Sequence, residues 1–156
     1  MLQQVYLETP EDLPLHFIAA WNERDAEGIA NLFAEVASFV NVVGLWWNDR
    51  AAIWKAHEYG LRVIFPESKL ELRKIQLRSI SATAAVVQAR MKLSAQSSHE
   101  ELSKPASRMN IFTFVLEKRE LGWVCVAAQN TDIVPGKETN IVDQEGKLKA
   151  VDYRKK

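Results

Sequence analysis

A single cysteine, Cys125, stands among 156 residues, so no disulfide can form within the chain. Flanked by Val124 and Val126, with no cationic neighbour in sequence to favour its thiolate, it reads as a small core residue and not as a reactive thiol. Net charge is also absent: twenty Lys and Arg face twenty Asp and Glu. No overall field is left to attract nucleic acid or an acidic surface, and a nucleic-acid partner is not expected. No apolar run is long enough to span a bilayer. The N-terminal MLQQVYLETPED lacks a basic stretch followed by an apolar one, so a cytoplasmic protein without membrane association is expected. His16, His57 and His99 lie far apart, without Cys or a second His at ligand spacing, which argues against a metal site. A G-x-S-x-G elbow, a phosphate loop and a dinucleotide fingerprint are all missing, so no cofactor is expected.

What is present is the composition of a globular domain, 47% hydrophobic and 26% charged, in a chain long enough to bury one core. Thr9, Pro10, Asp12 and Pro14 crowd the start of a first helix. Asp12 as its cap leaves Pro14 in the first turn, where a missing N–H is harmless. Leu13, Phe17, Ala20 and Trp21 then follow an i, i+4, i+7, i+8 stripe. Asp25 caps a short second helix facing inward through Ile29, Leu32 and Phe33. The β-branched and aromatic run from Ala37 to Val43 predicts a strand. Gly44 turns the chain into Leu45-Trp46-Trp47, and Asn48 or Asp49 caps a third helix reaching about Ile64. On it Ile53, His57, Leu61 and Ile64 share one stripe.

The remainder is strand-like. Leu70 and Leu72 lie in one phase and Ile75 and Leu77 in the other, which predicts a β-bulge near Arg73-Lys74. Ala85 to Leu93 alternates cleanly, Gln96 to Ser107 is a polar loop, and Arg108 to Lys118 is apolar on both phases. Glu120-Leu121-Gly122 turns into a last long strand, Trp123 to Val134. Three helices followed by an antiparallel meander predict an α+β domain, with helices on one face of a curved sheet. This domain occupies residues 1–136. The polar extension 137–156 is either a flexible tail or a small hairpin around Asp143-Gln144-Glu145-Gly146.

The segments FIAAWNERDAEGIANLF, FVNVVGLWWNDRAAIWKAH and WVCVAAQNT together resemble the nuclear-transport-factor-2-like superfamily. That superfamily holds ketosteroid isomerase and the SnoaL-like polyketide cyclases, and the likeness is nearest to the SgcJ/EcaC-type branch. It covers roughly residues 12 to 136. It implies a cystatin-like cone of three N-terminal helices on a curved antiparallel or mixed sheet, with an internal pocket. It also implies a homodimer formed through the sheet. Compared with ketosteroid isomerase, Phe17 occupies the position of the oxyanion-binding tyrosine, Asn41 that of the carboxylate base, and Phe114 that of the second acid. None of the three groups the isomerase mechanism needs is there.

The same comparison puts His57 at a pocket-facing position, in agreement with its helical stripe. It also puts Gln129 and Thr131 on the pocket-facing phase of the last strand. Asn41, His57, Gln129 and Thr131 would then converge, walled by Phe17, Trp21, Trp47, Phe112 and Phe114. An apolar cavity with a few aimed polar groups describes a ligand site, here for a small hydrophobic molecule bearing a carbonyl. If the domain is an enzyme, His57 is the one pocket group suited to moving a proton, in cyclase-, isomerase- or dehydratase-like chemistry without a cofactor. The bland readings stand beside these. His57 and Asn41 as satisfied core groups, Trp46-Trp47 as a core plug and Arg73 as a solvated edge residue would make the domain a dimeric interaction module with a vestigial pocket.

Overall fold

The computed structural model describes residues 1–154. Helix α1 spans Asp12–Asn22. Its cap is Glu11 and not Asp12: Asp12 is already helical, and its Oδ2 accepts the Thr9 N–H at 2.9 Å. Helix α2, Ala26–Asn31, is capped by Asp25, whose Oδ1 accepts the Gly28 N–H at 2.8 Å. Strand β1 runs Phe33–Val40, earlier than the β-rich run Ala37 to Val43 predicts. Its end is set by Asn41, which turns the chain instead of extending it. Asn41 Oδ1 accepts the N–H groups of Val43 at 3.1 Å and Leu45 at 2.8 Å, and Gly44 takes the positive φ of +88° that this turn requires.

The turn returns the chain as the two-residue strand β2, Trp46–Trp47, antiparallel to β1. Helix α3, Arg50–Tyr59, follows with Asp49 as cap, accepting from Ala52 N–H at 2.7 Å. It continues as a π-helical turn, Gly60–Ile64, closed by Phe65 N–H to the Gly60 carbonyl at 2.8 Å. The helical segment therefore reaches Ile64 as its hydrophobic stripe predicts, but with a wider last turn of the kind often found at functional sites.

Four long strands complete the main sheet: β3 Lys69–Ser79, β4 Ala84–Ser94, β5 Arg108–Arg119 and β6 Gly122–Asp132. The order is β2-β1-β6-β5-β4-β3, antiparallel throughout except for the parallel pair β1 and β6. The architecture is the expected α+β one. The extension forms a separate two-stranded sheet, β7 Thr139–Val142 with β8 Leu148–Val151. Of the two alternatives for this segment the hairpin is the one seen; its last residues, 155 and 156, lie outside the described residues.

Two register shifts decide which side chains face the helices. In β3, Leu72 pairs with Met91 and Lys74 with Arg90, so Arg73 is the extra residue, where the phase slip places it. In β6, Ala127 pairs with Val115 but Cys125 pairs with Leu116, so Val126 is extra. This second shift reverses the alternation along β6. Cys125, Ala128, Asn130 and Asp132 stand opposite the inward residues Leu116, Phe114, Phe112 and Asn110. Gln129 and Thr131 stand opposite Thr113 and Ile111, on the outer face. Their expected place in the pocket is thus corrected, because one inserted residue flips every side chain beyond it.

The core lies between α1, α2 and α3 and the inner sheet face. Phe17, Phe33, Phe114, Leu13 and Ile29 are its largest fully buried members. Burying each such side chain contributes about 1.5–3 kcal/mol. The N-terminal segment is fastened across the end of the sheet, Leu7 N–H to the Trp123 carbonyl at 3.0 Å and back at 2.8 Å. No described helix is long and apolar enough to cross a membrane.

Candidate functional site

Between the helices and the inner sheet face is a cavity of about 570 Å³, within the range of about 300–1,000 Å³ common for small-molecule sites. Its floor is the inward phase of β5 and β6: Arg108, Asn110 and Phe112 from the first, Asn130 from the second. One wall comes from β1 and β2 through Phe39 and Trp47, the other from α3 and the π turn through His57, Gly60 and Ile64. Trp21 lines it from α1 with its indole N–H already engaged, donating to Ser68 Oγ at 3.0 Å.

His57 sits at the inner end. Its Nδ1 is 2.8 Å from the Ile53 carbonyl one turn earlier. A carbonyl only accepts, so Nδ1 carries the proton and Nε2 the lone pair. Four rings surround the imidazole, with centroids at 5.2 Å for Phe39, 5.8 Å for Trp47, 6.0 Å for Phe17 and 6.4 Å for Trp21, at interplanar angles of 66° to 87°. Edge-to-face packing of this kind fixes the ring. The apolar surroundings penalise the charged form and push the His57 pKa down to about 4, against the smaller opposing effect of the Ile53 hydrogen bond. At neutral pH the group is an uncharged imidazole that offers an acceptor.

The other expected site residues separate into three groups. Trp21, Trp47, Phe112, His57 and Asn41 reach the cavity. Asn41 does so at the rim with its amide oxygen already committed to the β1–β2 turn. Phe17 and Phe114 do not line it: they pack beneath it, with ring centroids 5.8 Å apart and 5.2 Å and 5.4 Å from Phe112. Both are fully buried. They close the narrow end of the cone, because an inward aromatic phase on β5 meets the α1 stripe there. Gln129 and Thr131 face away. With Trp46, Ile111 and Thr113 they border a shallower concavity of about 480 Å³ on the outer face. The tryptophan pair is split by strand alternation, Trp47 inward and Trp46 outward and 66% exposed. It does not plug the cavity.

Three polar residues were missed by the sequence reading. Asn110 is only 3% exposed, and its Oδ1, like that of Asn130, has no hydrogen-bond partner. Arg108 flanks them, its Nη1 donating to Asp132 Oδ1 at 2.5 Å. A signal existed for Asn110, an amide in phase with Phe112 and Phe114 inside an apolar strand. None existed for Asn130, whose orientation depends on the bulge at Val126. Among the described residues no three His, Cys, Asp or Glu side chains gather as a metal site.

Helices wrapped on a curved mixed sheet, with a closed narrow end and a cavity at the wide end, narrow the relationships that need testing. The sequence matches the SnoaL-like domain family over residues 11–130. The chain belongs to that family. Its SnoaL-like fold is similar to solved structures of the cystatin-like, nuclear-transport-factor-2-like type. An uncharacterized cystatin-like protein from Caulobacter vibrioides is 29% identical, covering 80% of this chain and 87% of that one, with a TM-score of 0.73. A scytalone dehydratase candidate from Novosphingobium aromaticivorans is 17% identical over 80% of this chain and 81% of the other, TM-score 0.68. A ketosteroid isomerase-like protein from Erwinia carotovora atroseptica is 12% identical over 80% and 94%, TM-score 0.64. No curated protein matches the chain in sequence. Likenesses this distant establish the SnoaL-like fold; the chemistry has to come from the cavity itself.

Proposed function

We propose that this SnoaL-like domain, of the SgcJ/EcaC-type branch its motifs resemble, binds a small hydrophobic, carbonyl-bearing molecule in the cavity beside His57. The observation that carries the reading is the open space reaching a neutral imidazole whose Nδ1 is held by Ile53. That arrangement leaves Nε2 as a fixed acceptor in an apolar enclosure, where an electrostatic contact is stronger than in water. If turnover follows, the step this geometry serves is removal of a proton from carbon next to the carbonyl. Nε2 takes the proton, and the electron pair left on carbon becomes an enolate. With its pKa lowered, His57 is a weak base, and the step is reversible and slow unless the enolate oxygen is also stabilised.

The test uses 1-tetralone as probe. Quenching of the cavity-lining Trp21 and Trp47 should report saturable binding to the wild type. Ala56→Trp, which fills the cavity from α3, should abolish it at unchanged helical circular dichroism. Proton removal is read separately as exchange of the 1-tetralone α-hydrogens in D2O, faster with wild type than with His57→Ala. Equal quenching of wild type and Ala56→Trp contradicts binding in this cavity. Equal exchange with His57→Ala, while binding persists, limits the domain to binding.

The alternative, a dimeric interaction module with a vestigial pocket, is favoured by one observation, the outer-face concavity with exposed Trp46 at its border. On that reading a second copy covers this face of the sheet. Sedimentation of wild type and Trp46→Lys tests it: a dimer at micromolar concentration that Trp46→Lys dissociates supports it, and a wild-type monomer contradicts it.

A further inference from the structure

The zero net charge of the chain conceals an uneven distribution. Residues 69–92, which contain β3 and β4, hold Lys69, Arg73, Lys74, Arg78, Arg90 and Lys92 against a single acid, Glu71. Register decides where these charges point. Ile75 and Leu77 stand opposite the buried Ala89 and Val87, so the alternate pairs, Lys74 with Arg90 and Gln76 with Gln88, face outward, and Arg78 follows on the same phase of β3. Lys74, Arg78 and Arg90 are exposed. Among the described residues none of the three forms an ion pair, whereas Arg73 reaches Glu71 at 3.8 Å. Like charges directly opposite each other destabilise a sheet, so the pairing of Lys74 with Arg90 has a cost that nothing in the chain offsets.

Strand β3 is also an edge of the sheet. At Leu70 that edge is occupied: Asn22 of α1 donates its Nδ2 to the Leu70 carbonyl at 3.0 Å and accepts the Leu70 N–H at 2.9 Å. Beyond the bulge at Arg73 no described element covers it, and Lys74 and residues 76–79 are exposed, Leu77 among them at 40%. An open edge presents a row of unpaired main-chain N–H and C=O groups, a template for a further strand. Cations on the edge strand itself guard against pairing with a second copy, where they would repel their equals. Arg90 lies one strand in, on β4, and guarding the edge does not require it. We infer that residues 74–79 receive an acidic segment of a partner protein, added beside β3 as a further strand. Carboxylates four residues apart on its outward phase match Lys74 and Arg78, and Arg90 adds to the field that attracts them. A peptide is favoured over nucleic acid because β3 and β4 carry no aromatic side chain on which bases would stack, whereas main-chain groups in a row are met by another backbone. The site lies outside the cavity and at the opposite edge of the sheet from Trp46, so neither cavity binding nor a dimer through the Trp46 face enters it.

The probe is a fluorescein-labelled peptide with Glu at every fourth position and Val-Thr-Val between, titrated against the full chain by fluorescence polarisation. Saturable binding that weakens as salt rises is expected. Lys74→Glu and Arg90→Glu, each of which turns attraction into repulsion, should weaken it about tenfold. Lys104→Glu, which changes net charge equally but in the polar loop, should leave it as it was. Arg90→Gln, with a smaller loss, takes the place of Arg90→Glu should circular dichroism show that variant unfolded. Exchanging the Val residues of the peptide for Pro keeps its charge, removes main-chain donors and should abolish binding. No binding of the Glu peptide by wild type overturns the inference. So does an equal loss with Lys104→Glu, which reduces the effect to net charge. Equal binding of the Pro peptide, of oligothymidylate of matched charge or of phosphatidylglycerol vesicles makes the strip a general anion surface and overturns the added strand.

Discussion

Phe114 and Asn110 lie four residues apart on the same face of β5, and their surroundings differ in every respect that matters. At Phe114 the cone is closed: Phe17 and Phe112 pack on the ring, and neither Phe17 nor Phe114 is exposed. At Asn110 the helices have parted, a cavity stands over the strand, and a buried amide oxygen goes without a partner. The closed end spends its residues on packing; the open end keeps unmet polar groups at a cost in stability. The outer face of β5 and β6 is a third condition, polar and apolar residues mixed and half in solvent.

Substitutions should sort along that gradient. Phe114→Ala should produce the largest effect, a loss of about 3–5 kcal/mol in urea unfolding, because a buried aromatic leaves a cavity that close-packed neighbours cannot fill. A comparable loss from Phe112→Ala would be consistent with the gradient, since that ring serves both ends; a loss under 1 kcal/mol at Phe114 would break it. Next comes the pH dependence set by His57. The unfolded ring titrates near 6.5 and the folded ring near 4, so between those values the unfolded chain holds the extra proton. Stability from this group is therefore complete above about pH 6.5 and declines as pH falls toward 4, by about 3 kcal/mol in total. His57→Phe should remove that slope from a series of denaturant curves.

A smaller effect is expected at the mouth. Arg108→Met breaks a partly exposed pair with Asp132, and should cost about 1 kcal/mol, less in high salt. The smallest belongs to the outer face: Gln129→Ala should change stability by no more than about 0.5 kcal/mol and leave 1-tetralone affinity as it was. A clear loss of affinity there would place Gln129 in the site after all.

The two bulges show what the sequence could and could not reveal. At Arg73 the apolar residues jump from even to odd spacing, Leu70 and Leu72 against Ile75 and Leu77, so the slip is written in the pattern. At Val126 it is not. Residues 123–128 are apolar on both phases, and Gln129 to Asp132 are polar on both, so a shift by one leaves no trace in hydropathy. Gln129 was therefore exchanged for Asn130. The α+β order and the three helices were legible from caps and stripes, and His57 from its place beside Ile53 and Leu61. The depth of the cavity was not, because it depends on where α1 stops covering β5, and Phe17 and Trp21 look alike on one stripe although only Trp21 reaches the open space.

The state of His57 is read most directly from a long-range 15N–1H spectrum of its ring, taken from pH 8 to pH 4 and again with 1-tetralone added. Expected are a protonated Nδ1 and a bare Nε2 throughout the neutral range, protonation of Nε2 only as the pH nears about 4, and an Nε2 resonance that moves when the ligand binds. A ring that titrates near 6.5, or an Nε2 resonance that a saturating ligand leaves in place, would contradict it.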